Sequence, residues 1–314
     1  MTRVAGSPPL PGADAPDRRG ALPMVKLSTV KLSMVKLEAA GNDFLVVLEP
    51  TGADDGADGR AVPAGLTPAQ VRALCDRRRG VGADGLILGR PGGPGADLEM
   101  VLYNADGTSA EMSGNGIRCL VHAAVVAGVA PARLTRVSTA AGLRTVSYEP
   151  ATDGTAWARV DMGPVRLGSE VASPLPGTRA RLADVGNPHL VVIGDVQLDE
   201  VDLGSLGVAA TQVVGSQVNL EIVRPGRHGA DLELRVFERG VGETLACGTG
   251  SCAAAAVGRA FRMVGDVVTV DNPGGRLEVR LGEEVELGGP VRKIADVEVD
   301  AHLLEVGGLR DEAG

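Results

Sequence analysis

The chain carries one stretch of sequence twice, and that duplication constrains its fold more than any other feature. Residues 237–252 read F-E-R-G-V-G-E-T-L-A-C-G-T-G-S-C, and residues 103–119 read Y-N-A-D-G-T-S-A-E-M-S-G-N-G-I-R-C. Each is an aromatic strand end, a polar loop, and a Gly-x-Gly that opens an apolar helix. Phe237 precedes Cys247 by ten residues, and Tyr103 precedes Ser113 by ten. A second pair precedes the first: Gly41-Asn42-Asp43-Phe44-Leu45-Val46-Val47 is echoed by Gly186-Asn187-Pro188-His189-Leu190-Val191-Val192. Both pairs occur in the same order at comparable separations, so the chain is two related halves in tandem, with one special position in each.

Length and composition set the frame. The 314 residues allow about two domains of ordinary size. With 44% apolar but only 2% aromatic residues, the core must be built from Val, Leu and Ala. A net charge of -9 and a pI near 5.1 argue against a nucleic-acid or anionic-membrane partner. A local basic cluster around a small acidic substrate stays open. Four cysteines at irregular spacing form no disulfide framework. With no C-x-x-C pair and scattered histidines, no metal site is expected. There is no apolar run of membrane-spanning length and no apolar stretch of a secretory signal. The expected setting is a soluble cytoplasmic protein with reduced thiols.

Residues 1–23 are rich in Pro, Gly, Ala and charge, which predicts disorder. Val-Lys-Leu then occurs three times, at 25–27, 30–32 and 35–37, and only the last copy runs on into Glu38-Ala39-Ala40-Gly41-Asn42. The globular part is expected to begin near Met34, leaving residues 1–33 as a disordered extension. Residues 50–64 read as a loop, and Thr67-Pro68 as the N-cap and first position of a helix ending near Arg77–Gly80. Helices are predicted over 115–128 and 251–264, both too poor in polar residues for a surface and therefore expected inside a sheet or barrel. Strands are predicted at 44–48, 86–88, 98–103, 137–148, 156–162, 190–193, 217–223, 232–237, 267–270, 276–280 and 284–287, with a last strand over 290–299. Residues 198–206 read as helix or loop. The boundary between halves falls near Thr152–Thr155, and the last strand is placed to cross back and complete the first half. Strands without strict helix alternation predict mixed α+β domains rather than a Rossmann sheet. No dinucleotide fingerprint or P-loop sits in the proper context.

A tandem duplication places equivalent loops opposite each other, which would put residues 113 and 247 on two sides of one cleft. Opposed acid and base groups suit stereochemical inversion, one removing a proton and the other returning it to the opposite face. A helix N-terminus favours a thiolate at Cys247, and the Gly-Asn-Gly and Gly-Thr-Gly amides can grip a carboxylate. A buried inert cysteine is the plain alternative.

These residues resemble a known family, diaminopimelate epimerase. The matching motifs are G-N-D-F at 41–44, R-G-V-G-A-D-G at 79–85, N-A-D-G at 104–107, G-N-G-I-R at 114–118, G-N-P-H at 186–189, V-N at 218–219 and E-R-G-V-G-E-T-L-A-C-G-T-G at 238–250. The resemblance spans roughly residues 34–300. It implies two pseudo-symmetric α+β domains, each a β-barrel-like sheet around a central helix: 34–154 completed by a strand at about 290–310, and 155–289. It also implies epimerisation of LL- to meso-diaminopimelate with no metal and no organic cofactor, on an amino-acid substrate; a homodimer is one assembly open to it. By motif, Cys247 is one of two catalytic thiols. Asn42, Asn104, Asn187, Asn219, Glu238 and Arg239 bind the substrate's amino and carboxyl groups. Gly114, Asn115, Gly248 and Thr249 hold the reacting carboxylate, and His189 and Glu238 tune the acid and base. Asparagines also cap turns, and Glu238-Arg239 can be a structural ion pair. The departure is Ser113, which stands where the family has its first catalytic cysteine, and Cys119 lies about a turn and a half further along the helix. An activated or engineered serine, a related racemase or one-base dehydratase, and a non-catalytic amino-acid-binding protein all remain alternatives.

Overall fold

In the computed structural model, which describes residues 31–49, 65–229, 231–300 and 303–304, the repeat in the sequence becomes a repeat in sheet topology. The first half runs β1 (Lys31–Ala39), β2 (Asn42–Leu48), α1 (Pro68–Cys75), β3 (Gly85–Pro91), β4 (Leu98–Asn104), β5 (Ser109–Ala110), α2 (Gly114–Val126), β6 (Leu134–Thr139) and β7 (Gly142–Pro150), and β8 (Thr155–Asp161) leads from it into the second. The second runs β9 (Arg166–Val171), β10 (Arg179–Asp184), β11 (Pro188–Ile193), a 3-10 turn at Leu198–Glu200, α3 (Leu203–Val214), β12 (Asn219–Pro225) and β13 (Leu232–Glu238). It continues through β14 (Gly242–Thr244), α4 (Gly248–Ala260), β15 (Val267–Asn272), β16 (Gly275–Leu281) and β17 (Val285–Asp300).

The pairings repeat strand for strand. β2–β3 is parallel, β3–β4 and β4–β5 antiparallel, β4–β6 parallel and β6–β7 antiparallel. The series from β11 to β16 has the same senses in the same order. The long strand β17 joins the halves. It pairs with β16 and β8 through its first residues, and with β1 from Arg292 to Asp300.

Each half wraps its sheet around one helix and covers the outer face with another. Every residue of α2 from Gly114 to Ala124 is buried, and α4 is buried from Ser251 to Gly258. A helix that is apolar on all sides needs protein on all sides. Ile117 and Leu120 of α2 share a core with Val46 and Ile87, while Leu45, Val47, Leu86 and Leu88 face the other way onto Val71 and Leu74 of α1. That is why β2 and β3 are continuous apolar runs rather than alternating ones. In the second half Val191, Ile193 and Val223 pack with α4, and Leu190, Val192, Leu220 and Ile222 pack on Leu203 and Ala210 of α3. Each such aliphatic side chain contributes about 1.5–3 kcal/mol on full burial. The Ala253–Ala256 run lets the sheet close tightly on α4, which suits a chain with so few aromatics.

One contact between the halves is made by backbone alone. β1 and β2 are joined by Ala40-Gly41, both with positive φ (52° and 81°), the geometry of a tight hairpin turn. This turn seats against Gly274, where an added methyl would lie 2.1 Å from the Ala40 carbonyl oxygen. Gly274→Ala is therefore expected to destabilise the protein by about 3 kcal/mol, since neither backbone can yield. Denaturant unfolding that shows an unchanged midpoint would refute the close approach.

Several sequence expectations need correction. Lys31–Ser33 are not part of a disordered extension: they begin β1, and Leu32 is buried against the α1 side of the sheet. The single strand predicted over 137–148 is a hairpin of β6 and β7 that turns at Thr139–Gly142. The strands predicted at 284–287 and 290–299 are one, β17. α1 starts with the predicted Thr67 cap but stops at Cys75, because Asp76 turns extended and its carboxylate takes the Arg78 and Arg79 amides. β9 and β10 went unpredicted; they are short, and β9 is almost wholly exposed. The predicted disorder of residues 1–23, the Val-Lys-Leu copy at 25–27 and the loop at 50–64 lie outside the described residues.

Candidate active site

Ser113 and Cys247 occupy the same structural position. Each is the N-cap of its half's central helix, with extended backbone (φ -138°, ψ 121° and φ -125°, ψ 115°). Ser113 Oγ accepts the Gly116 amide at 3.0 Å, and Cys247 Sγ accepts the Gly250 amide at 3.3 Å. In both helices the first-turn amides at 114–115 and 248–249 have no acceptor within their own helix. These ends meet head to head. A methyl added to Gly248 would lie 3.6 Å from the Gly114 Cα, and one on either glycine would lie 2.7 Å from Leu287 Cδ2. Two helix N-termini converging on one spot concentrate positive potential and unpaired N–H donors, which suits a carboxylate.

The thiol side is the more elaborate. Cys247 is buried, which pushes its pKa well above the ordinary thiol range, and the Glu238 and Glu221 charges push it further. Hydrogen bonds from Thr249 and the Gly250 amide oppose that rise. Glu238 is itself raised by burial, against hydrogen bonds from Thr244 and Cys247. Thiol and carboxyl thus compete for a proton in a dry corner where small changes decide the outcome.

A connected set of hydrogen bonds surrounds Cys247. Thr249 Oγ1 lies 3.4 Å from Sγ and accepts Asn187 Nδ2 at 3.4 Å. His189 Nε2 sits 2.9 Å from Asn187 Oδ1, and its Nδ1 sits 2.7 Å from Glu221 Oε1. Asn219 donates to the Pro188 carbonyl and accepts the Arg239 backbone amide, which ties the β11, β12 and β13 ends together. Thr244 Oγ1 donates to Glu238 Oε1 at 2.5 Å, so the Glu238 carboxyl is engaged by Thr244 and not by Arg239, whose residue is exposed.

On the serine side, Asn115 is 2% exposed and its Oδ1 accepts Arg118 Nη2 at 2.6 Å. Arg118 is fully buried, also donates to the Gly114 carbonyl, and has its pKa pushed down to about 10 by burial. Cys119 is fully buried in the core, which pushes its thiol up. Asn42 donates to Asp84 at 2.7 Å and Asn104 to Thr108 at 3.0 Å, each within the loops at one end of β2, β3 and β4. The structure therefore brings Cys247, Thr249, Asn187, His189, Glu238 and Asn219 into one cluster and sets Ser113, Gly114 and Asn115 against it. Asn42 and Asn104 are held by their own loops.

Three residues absent from the sequence expectations belong to this region: Glu221, Arg118 and Thr244. The first two had a signal, a lone charge inside an apolar run (Leu220-Glu221-Ile222-Val223 and Ile117-Arg118-Cys119-Leu120). Thr244 had none beyond its place in the loop. A hollow of about 480 Å3 is lined by Glu38, Gly41, Asp43, Arg77, Leu245 and Arg292, among others. Neither Ser113 nor Cys247 lines it, and its acids and bases pair with one another, Arg77 with Asp43 and Arg292 with Glu38. Among the described residues, no group of three or more His, Cys, Asp or Glu is placed to hold a metal ion. No helix there is long and apolar enough to cross a membrane.

A duplicated sheet with two opposed helix caps is the fold of a class of proteins that includes amino-acid epimerases. A hydroxyproline epimerase from Agrobacterium vitis superposes with a TM-score of 0.63 at 16% identity, over 86% of this chain and 92% of that one. A phenazine biosynthesis protein of the PhzF family from Bacillus anthracis superposes with a TM-score of 0.65 at 15% identity, over 86% and 99%. At sequence level, the profile of the diaminopimelate epimerase family matches residues 34–168 and 181–293. The diaminopimelate epimerase of Methanothrix thermoacetophila is 35% identical over 88% of this chain and 98% of its own length. The chloroplastic diaminopimelate epimerase of Oryza sativa subsp. japonica is 36% identical over 84% of this chain and 78% of its own. The chain belongs to the diaminopimelate epimerase family.

Proposed function

We propose that this protein interconverts LL- and meso-diaminopimelate, removing a proton from one face of the α-carbon and returning one to the other. The observation that carries this is the head-to-head meeting of α2 and α4, each capped by a side chain that can move a proton. The substrate's reacting carboxylate accepts the free amides at Gly114, Asn115, Gly248 and Thr249, and the same donors stabilise negative charge as the α-carbon loses its proton. Cys247 acts as base on its face after Glu238 takes the thiol proton, with Ser113 as proton donor on the opposite face. Asn42, Asn104, Asn187, Asn219, Glu238 and Arg239 ring the remaining amino and carboxyl groups, and His189 supports Asn187. The two domains of this arrangement are 34–154 with the C-terminal strand, and 155–289. A cytoplasmic setting accords with four cysteines that are all unpaired.

Incubation in deuterated water tests the function. Deuterium should enter the α-position of either isomer, with inversion. Exchange without inversion would mean one-base chemistry, and binding without exchange would leave an amino-acid-binding protein.

A further inference from the structure

Glu221 is a carboxylate in a place where carboxylates are costly. It sits mid-strand on β12, fully buried, and its Oε2 has no hydrogen-bond partner. A buried ionised carboxylate costs several kcal/mol unless compensated. Two features compensate it. His189, equally buried on the neighbouring strand β11, approaches Oε1 at 2.7 Å. The first turn of α4 lies against the same oxygen, since a methyl added to Gly250 would fall 2.6 Å from it. The carboxylate therefore meets the positive end of the helix whose cap is Cys247.

We propose that Glu221 is a positioning residue of the reaction: with His189 it forms a buried ion pair that orients Asn187 and, through Thr249, the Cys247 thiol. The role in turnover rests on the epimerase function proposed above. Hydrogen-bond polarity along the chain of groups supports it. Asn187 donates its amide nitrogen to Thr249 Oγ1, which turns its oxygen towards His189 Nε2. Both ring nitrogens then face oxygens, Asn187 Oδ1 and Glu221 Oε1, and a ring with a proton on each nitrogen donates to both. Beyond these residues, the groups whose charge acts on this cluster are Glu238 on β13 and the Cys247 thiol capping α4. Neutralised by its partner, Glu221 stays beside the thiol without overwhelming it. Stripped of that partner, it would hold the proton on sulfur.

The pH dependence of Cys247 alkylation by iodoacetamide, followed by peptide mass mapping on the full chain, tests this pair without needing turnover. Glu221→Gln removes the carboxylate, the member of the pair whose charge raises the thiol, so the alkylation midpoint should fall by about one pH unit. His189→Gln leaves the carboxylate without its counter-charge, so the midpoint should rise by a similar amount. Glu221→Asp keeps the charge and should leave the midpoint near that of the parent. In the exchange assay, Glu221→Gln and His189→Gln should each lower kcat by about 10- to 100-fold with KM changed less than about threefold, and the double variant should be no worse than the weaker single. Opposite midpoint shifts are the signature of an ion pair; a general loosening of the fold would move both the same way. Shifts of the same sign, or none in either variant, would overturn the proposal. A parent chain that alkylates as described but exchanges no α-proton would overturn the epimerase function and leave the ion pair standing.

Discussion

Replacing Cys247 with alanine is expected to lower α-proton exchange by about 10²- to 10⁴-fold, the usual worth of a positioned acid–base group. The thiol is the one side chain in the cluster that combines an ionisable atom, a helix N-cap position and an adjacent carboxyl able to take its proton. Alanine should keep the fold, since its methyl fills the Cβ position and what is lost is the sulfur's contact with Thr249 Oγ1 and its acceptor role towards the Gly250 amide, an N-cap contact worth about 1 kcal/mol. Deuterium wash-in from both LL- and meso-diaminopimelate measures the loss, with the unfolding midpoint recorded in parallel. An alanine variant that exchanges at the parent's rate would remove Cys247 from the chemistry.

Ser113→Cys should act in the opposite direction and raise the rate of inversion by about 100-fold. A serine hydroxyl ionises roughly four to five pH units above a thiol, equivalent to about 6 kcal/mol, so it gives up and regains a proton against a steeper gradient. The site is already shaped for sulfur: Ser113 and Cys247 share backbone conformation and the same amide contact three residues on, so the thiol needs no rearrangement. Nor does the histidine assist the serine in this structure, because its two nitrogens are committed to Glu221 and Asn187. Initial rates of inversion from each isomer, compared between parent and variant, decide the matter. An unchanged rate in both directions would show that the proton on that face does not come from residue 113.

Much of the fold could be read from the sequence because the repeat is written in local chemistry. The aromatic strand end, the polar loop and the Gly-x-Gly recur at fixed spacing, and β4–β5–α2 and β13–β14–α4 follow it residue for residue. The burial of α2 and α4 followed from their lack of polar residues. What escaped notice depends on long-range pairing. β9 and β10 carry no strong alternation, and Lys31–Ser33 are strand only because β17 lies alongside them. At the site, the glycine–asparagine motifs lie in loops at the ends of β2, β4 and β11. Asn42 and Asn104, read from sequence as loop residues, are the end residues of β2 and β4 and spend their amides on Asp84 and Thr108. Glu221 and Arg118 went unassigned because an isolated charge in an apolar run has meaning only once its neighbours across the sheet are known.

The strand that joins the halves also dictates when they can be finished. β1 pairs Lys31 with Asp300, so the first residues of the described sheet wait for almost the last. During synthesis the N-terminal half emerges with β1 lacking one partner, an open edge ready to pair with whatever strand it meets. Closing the longest loop in the molecule is then a late step, and a slow one for a sheet with so many non-local pairings. A fragment that ends at residue 154 should remain incompletely folded and aggregate, whereas the same fragment supplied with a peptide of residues 285–304 should recover its edge. The meeting point of the two central helices shares this dependence, because Leu287 of the same strand is what both Gly114 and Gly248 rest against. The seat shared by Gly114 and Gly248 is complete only once β17 is in place.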